Sequence, residues 1–120
     1  MLTQANRLKK SKDIERVLKN GKRFSEGFLV IKTLPNGLDK TRFAFIASQK
    51  FSKKAVERNK IRRQLRETTR QNLERIKKGM DVIVWAVLAD EGRAVKEARV
   101  VMERVLSKAN LITNIDKQAK

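Results

Sequence analysis

A chain of 120 residues, 40% of them hydrophobic, is the size of one domain with a single modest core. Thirty Lys and Arg against thirteen Asp and Glu give a formal net charge of +17 and a pI near 10.9, pointing to an anionic polymer or an anionic membrane surface as partner. With no cysteine and no histidine, disulfides, thiolate zinc sites, Ser-His-Asp and Cys-His pairs and the usual His-containing hydrolytic metal site are excluded.

Residues 1–23 form a first basic block, eight Lys or Arg against two acids. Leu8, Ile14, Val17 and Leu18 predict a short amphipathic helix over about 11–19, with Ser11 as N-cap and Asn20-Gly21 as its end. No apolar signal-type stretch precedes it, so a cytoplasmic location is expected. Two β-rich runs follow. The first, 28–34, is bounded by Gly27 and Pro35-Asn36-Gly37; the second, 42–48, puts Phe43, Phe45 and Ala47 on one face. Their proximity and the Pro-Asn-Gly turn predict an antiparallel hairpin.

Residues 50–78 hold twelve Lys or Arg against three Glu, more than half of the net charge. Without Gly or Pro, the segment predicts one helix over about 54–76, with Ser52 as N-cap. Ile61, Leu65, Leu73 and Ile76 fall on a core-facing stripe. Beside it Asn59, Arg62, Arg63, Arg66 and Arg70 project together. A solvated helix normally mixes signs at i,i+4, whereas Arg62, Arg66 and Arg70 repel one another at that spacing. A polyanion would neutralise that repulsion, and the planar guanidinium fork suits phosphate oxygens. Membrane binding fits less well, because the basic helix lacks a broad apolar face and no run approaches the ~20 apolar residues of a spanning helix.

Gly79, preceded by Lys77 and Lys78, reads as the C-cap of the basic helix. The apolar run 81–88 reads as a central strand covered on both faces, with Trp85 in the core. A last helix over about 93–111 turns Val95, Ala98, Val101, Met102, Val105, Leu106 and Ala109 inward. The fold class expected is α/β (α+β): a two-layer sandwich of one small mixed sheet with packed helices, in the order helix-strand-strand-helix-strand-helix. One domain spans 1–113, and 114–120 form a frayed tail.

The run Glu57-Arg58-Asn59-Lys60-Ile61-Arg62-Arg63-Gln64-Leu65-Arg66-Glu67 resembles the Arg-Asn-Arg signature helix of the bacterial ribonuclease P protein component. Arg7-Leu8-Lys9-Lys10-Ser11-Lys12-Asp13, Ser48-Gln49-Lys50 and Asp81-Val82-Ile83-Val84 also fall where that family has counterparts, so the resemblance covers about 5–110. The third signature residue is Lys60 in place of Arg, which keeps the charge but not the bidentate geometry. The resemblance implies a left-handed crossover between parallel strands, against the general rule. It also implies a protein that binds the catalytic RNA and the 5′ leader of precursor tRNA while the RNA subunit performs the Mg²⁺-assisted hydrolysis. Partners are then ribonuclease P RNA and precursor tRNA, with no membrane and no obligate protein partner; the polypeptide itself holds no metal, cofactor or catalytic residue.

Carried onto this chain, the RNA-subunit contacts are Lys53, Lys54, Arg58, Asn59, Lys60, Arg62, Arg63, Arg66 and Arg70. The leader contacts are Lys12, Ile14, Leu18, Phe28 and Lys32. Family positions that are commonly Phe fall at Ile14 and Leu18, and the usual strand Tyr falls at Lys32, so apolar contact and charge replace base stacking. The alternative is a general, ribosomal-protein-like RNA-binding module, which explains the charge but not the signature. A free-standing metallonuclease would need clustered carboxylates, and Asp39, Asp81, Asp90 and Glu91 show no motif spacing.

Overall fold

A computed structural model describes residues 4–87 and 93–112. Helix α1 (Ser11–Asn20) is followed by strands β1 (Lys22–Glu26), β2 (Leu29–Pro35) and β3 (Arg42–Ala47), helix α2 (Ala55–Gln71), strand β4 (Met80–Ala86) and helix α3 (Arg93–Lys108). The expected tail 114–120, Asp90, Glu91 and the side chain of Val95 lie outside what is described.

The strands form one sheet in the order β1-β2-β4-β3. β2 runs antiparallel to both β1 and β4, and β3 runs parallel to β4, so α2 is the crossover of a β-α-β unit. The expected hairpin between β2 and β3 is therefore corrected, because β4 lies between them. The cause is burial: Val82, Ile83 and Val84 are fully covered, and a strand apolar on both faces gains most in the middle of a sheet. β1 was not expected at all. Its only large apolar residue is Phe24, and as an edge strand it exposes Lys22 and Arg23. A two-residue turn, Gly27-Phe28, joins it to β2, with Gly27 at φ 54°, a value glycine adopts without strain.

Strand alternation sorts the core into two parts. Leu29, Ile31, Phe43, Val82, Val84 and Ala86 face Ile61 and Leu65 of α2 and Ala98, Met102, Val105 and Leu106 of α3, forming the main core of the expected mixed sheet with packed helices. On the opposite face α1 covers a smaller cluster, in which Leu8, Val17 and Ile83 are buried and Ile14, Leu18, Leu34, Ala44, Ile46 and Trp85 pack around them. Trp85, expected in the core, is half-buried at the margin of this smaller cluster.

Helix α2 ends five residues early. Asn72 terminates it by donating its side-chain amide to the Thr68 carbonyl at 2.8 Å and to Glu103 at 3.1 Å. Thr68, Thr69 and Asn72 therefore continue the buried stripe below Ile61 and Leu65, while Leu73 sits in a 3₁₀ turn and Ile76 bridges to Ile112. Gly79 does not cap this helix. It turns the chain into β4 at φ 88°, where a Cβ would come within 3.1 Å of the Leu38 carbonyl. Neither expected serine caps a helix: Lys10 and Lys54 occupy the N-cap positions without side-chain cap bonds. Ser52 instead accepts the Lys54 N–H at 3.1 Å and donates to Glu57 at 2.7 Å, ordering the approach to α2.

Candidate nucleic-acid interface

The cations of α2 divide by their place around the helix. Arg58, Arg62 and Arg66 flank the buried stripe and are half-buried, Arg63 and Arg70 stand further out, and Lys60 lies on the solvent side, roughly 100° or more from Arg62 and Arg66 at 3.6 residues per turn. Lys60 is thereby separated from Arg62 and Arg66, though it lies one turn from the exposed Arg63. Lys53 is exposed just ahead of the helix, and Lys54 occupies its N-cap.

These arginines are not equally available. Arg58 donates to the Ser52 carbonyl at 3.0 Å, which ties it to the loop before the helix. Arg62 donates to the Asn59 side-chain oxygen. Arg70 is bound to Glu67 through two hydrogen bonds of 3.1 and 2.6 Å, which lowers the Glu67 pKa and raises that of Arg70. The expected mutual repulsion therefore omits Arg70, whose charge is already matched. Arg66 has no ion-pair partner among the described residues. Its pKa is pushed below the ordinary arginine value by burial first, then by the charges of Arg62, Arg7 and Arg63.

Arg7 reaches that cluster through an arrangement the sequence did not disclose. Residues 6–8 lie along the outer edge of β3: Arg7 bridges to Phe43 in parallel, Leu8 N–H donates to the Phe43 carbonyl at 2.8 Å, and the Asn6 amide donates to Thr41 at 2.9 Å. A groove of about 380 Å³ opens between this segment and α2, lined by Arg7, Lys9, Phe43, Phe45 and Arg66. Arg7 Nε is buried without a hydrogen-bond partner among the described residues, a costly state for a donor. The two basic blocks of the sequence thus meet at one edge of the sheet.

The second candidate surface is the α1 face. Lys12 is exposed on α1, and Ile14 and Leu18 are half-buried against the sheet. Lys32 is directed at α1 and donates from Nζ to the Leu18 carbonyl at 2.6 Å, meeting one of the last-turn carbonyls that lack a helical partner. Phe28 is not on this face. It is 4% exposed in the main core, 6.0 Å from the Phe51 ring, so its assignment to a leader surface is withdrawn.

A buried carboxylate joins α1 to the sheet. Asp81 of β4 is fully covered and accepts from Arg42 Nε and Nη2 at 2.8 and 2.7 Å, from Asn36 at 2.9 Å and from Arg16 at 3.2 Å. Arg42 also lies 3.4 Å from Asp13. Burial alone would raise the Asp81 pKa, but the bonds from Arg42 and Asn36 and the Arg42 charge outweigh it and hold the carboxyl below its ordinary value. Among the described residues no three carboxylates gather to hold a metal ion, and no helix is long and apolar enough to cross a membrane.

Comparison with known proteins places these surfaces in context. A family model described as Ribonuclease P matches residues 2–110. A ribonuclease P protein component from Alkaliphilus oremlandii is 34% identical over 109 residues, 91% of this chain and 95% of that protein. The solved Staphylococcus aureus RNase P protein superposes with a TM-score of 0.82 at 30% identity, covering 92% of this chain and all of that one. A mutant of the Staphylococcus aureus protein, described as defective in mRNA degradation activity, gives 0.78 at 30% identity, covering 91% and 92%.

Proposed function

The chain belongs to the ribonuclease P protein family, as the protein component of the bacterial ribonucleoprotein that processes tRNA 5′ ends, and on that premise we propose how its two faces share the RNA. The edge built from α2 and the N-terminal segment binds the ribonuclease P RNA, with Arg62, Arg63 and Arg66 at its centre and Lys53, Lys54, Arg58, Asn59, Lys60 and Arg70 around them. Arg7 joins this set. The α1 face, with Lys12, Ile14, Leu18 and Lys32, receives the 5′ leader of precursor tRNA. Hydrolysis and its Mg²⁺ belong to the RNA subunit, in the cytoplasm, and the polypeptide supplies position and charge without an obligate protein partner.

The observation that carries this reading is the groove in which Arg7 meets Arg66, where neither Arg7 Nε nor Arg66 has a hydrogen-bond or ion-pair partner among the described residues. Arg66, its pKa lowered by burial and by neighbouring cations, shares this groove with Arg7, and a phosphate group bound there would neutralise the crowded positive charge. The test compares protein, bacterial ribonuclease P RNA and their mixture on precursor tRNA at low Mg²⁺. Stimulated cleavage at the 5′ junction in the mixture alone supports the assignment. Binding without stimulation favours a general RNA-binding module. A single-stranded mRNA arm is included because the mutant Staphylococcus aureus relative is described by a defect in mRNA degradation.

A further inference from the structure

We propose that Asp81 is a positioning residue: through Arg42 and Arg16 it sets where α1 lies on the sheet, and so the shape of the face that receives the leader. The proposal rests on the reading of α1 as the leader wall given above.

The apolar contact under α1 is small. Among the described residues, Leu8, Val17 and Ile83 are buried in it with partly buried side chains around them, against twenty buried residues in the main core. Apolar packing is also non-directional and would tolerate a helix sliding or rotating by a fraction of a turn. The polar network is directional. Asp81 accepts four hydrogen bonds from three elements: Arg42 on β3, Asn36 in the β2–β3 loop and Arg16 on α1. Arg42 turns its remaining arm to Asp13, one helical turn before Arg16. α1 is thus gripped at two points on the same side, Arg16 by the buried Asp81 carboxylate, whose pKa is held below its ordinary value, and Asp13 by Arg42. At the other end Lys32 holds the Leu18 carbonyl. Ile14 sits between the Asp13 and Arg16 anchors and Leu18 carries the third, so these contacts fix how far each side chain projects. A buried, fully bonded ionic group of this kind contributes specificity of arrangement more readily than net stability.

Three variants separate this role from general folding. Arg16→Gln removes the α1 arm at a half-exposed position and leaves the Asp81–Arg42 pair whole; Arg16→Lys keeps an ion pair in reach; Asp81→Asn removes the hub. Ile14→Ala serves as the direct test of the leader wall. Each is assembled with the ribonuclease P RNA and titrated with precursor and mature tRNA. In parallel, spin labels on Glu15→Cys and Gln64→Cys report the α1–α2 distance, in a chain with no native cysteine. Arg16→Gln and Asp81→Asn should broaden that distance distribution and weaken precursor binding about tenfold, with mature tRNA and RNA-subunit affinities within about twofold of the parent and Arg16→Lys restoring the precursor. If Asp81→Asn fails to fold, Arg16→Gln and its Lys rescue still decide. Unchanged distances in Arg16→Gln overturn the proposal, as does a precursor loss in Ile14→Ala that Arg16→Gln does not share. Broadened distances with no precursor loss in either Ile14→Ala or Arg16→Gln instead overturn the leader wall.

Discussion

Arg66→Ala gives the sharpest reading of the RNA-facing edge. The side chain is half-buried, unpaired among the described residues, and crowded by Arg62, Arg63 and Arg7, which together with burial depress its pKa. Removing it relieves repulsion and vacates no apolar core site, so folding stability should stay within about 0.5 kcal/mol of the parent. Binding should respond differently. One lost phosphate contact flattens the slope of log affinity against log salt by roughly 0.7–0.9. Across a tenfold salt range the parent should then lose about five- to eightfold more affinity than the variant. Fluorescence anisotropy with labelled ribonuclease P RNA, at fixed Mg²⁺ and several KCl concentrations, measures this directly. Arg70→Ala is the internal contrast: Arg70 already faces Glu67, so its loss should change the slope less. Glu67→Gln should release Arg70 and steepen the slope. An Arg66→Ala protein that melts like the parent and keeps its full slope would refute the phosphate contact.

Other outcomes follow from the same geometry. Polypeptide purified free of RNA should not cut precursor tRNA or mRNA at any Mg²⁺ concentration; single-site, metal-dependent cleavage surviving stringent purification would reverse the division of labour between protein and RNA. Phe28→Ala, in the main core, should cost about 3–5 kcal/mol in denaturant unfolding. It should leave the ratio of precursor to mature tRNA affinity unchanged in the folded fraction, and a selective precursor loss would return Phe28 to the leader surface. Asp81→Asn should destabilise by about 3 kcal/mol at neutral pH, since it leaves the mostly buried Arg42 with only Asp13, 3.4 Å away, as a partner charge. Because the folded Asp81 pKa is lowered, its contribution is present above the unfolded value of about 3.9 and lost as pH falls through the folded value, so the gap between parent and variant should close below about pH 4. Lys60→Arg, on the solvent side of α2, should leave RNA affinity within about twofold, and a tenfold gain would place that position against RNA.

Elements written in strong periodicity were legible: α1, β2, β3, the start of α2, β4 and α3 all stand near their expected places. The misreadings share a physical cause, which is reliance on neighbours in sequence. The strand at 22–26 has one large apolar residue because an edge strand buries little, and its only signal was a glycine opening a two-residue turn. The end of α2 is set by the Asn72 amide finding Thr68 and Glu103, a weaker mark than glycine or proline and dependent on a residue 31 positions away. Pro35-Asn36-Gly37 looked like ordinary turn chemistry. Asn36 does close a local turn with Leu38 N–H at 2.7 Å, but it also reaches Asp81, 45 positions on. The same limit applies to the cations: their number, and the place of Lys60 around the helix, follow from the sequence, while the quenching of Arg70 by Glu67 depended on side-chain placement.

The corrected strand order also explains why two basic blocks far apart in the chain form one surface. Had β2 and β3 paired as a hairpin with β4 beyond them, β3 would have had a neighbour on each side and no free backbone to offer the N-terminal segment. With β4 inserted between them, β3 becomes the outer strand, and its Phe43 carbonyl is open to the Leu8 N–H. The α2 crossover leaves from the end of that same strand and packs beside it, which carries Arg62 and Arg66 over the edge where Arg7 has docked. The apolar content of β4 therefore acts at a distance from itself. By claiming the middle of the sheet, Val82, Ile83 and Val84 leave β3 outermost, and an outermost β3 is what brings Arg7 beside Arg66.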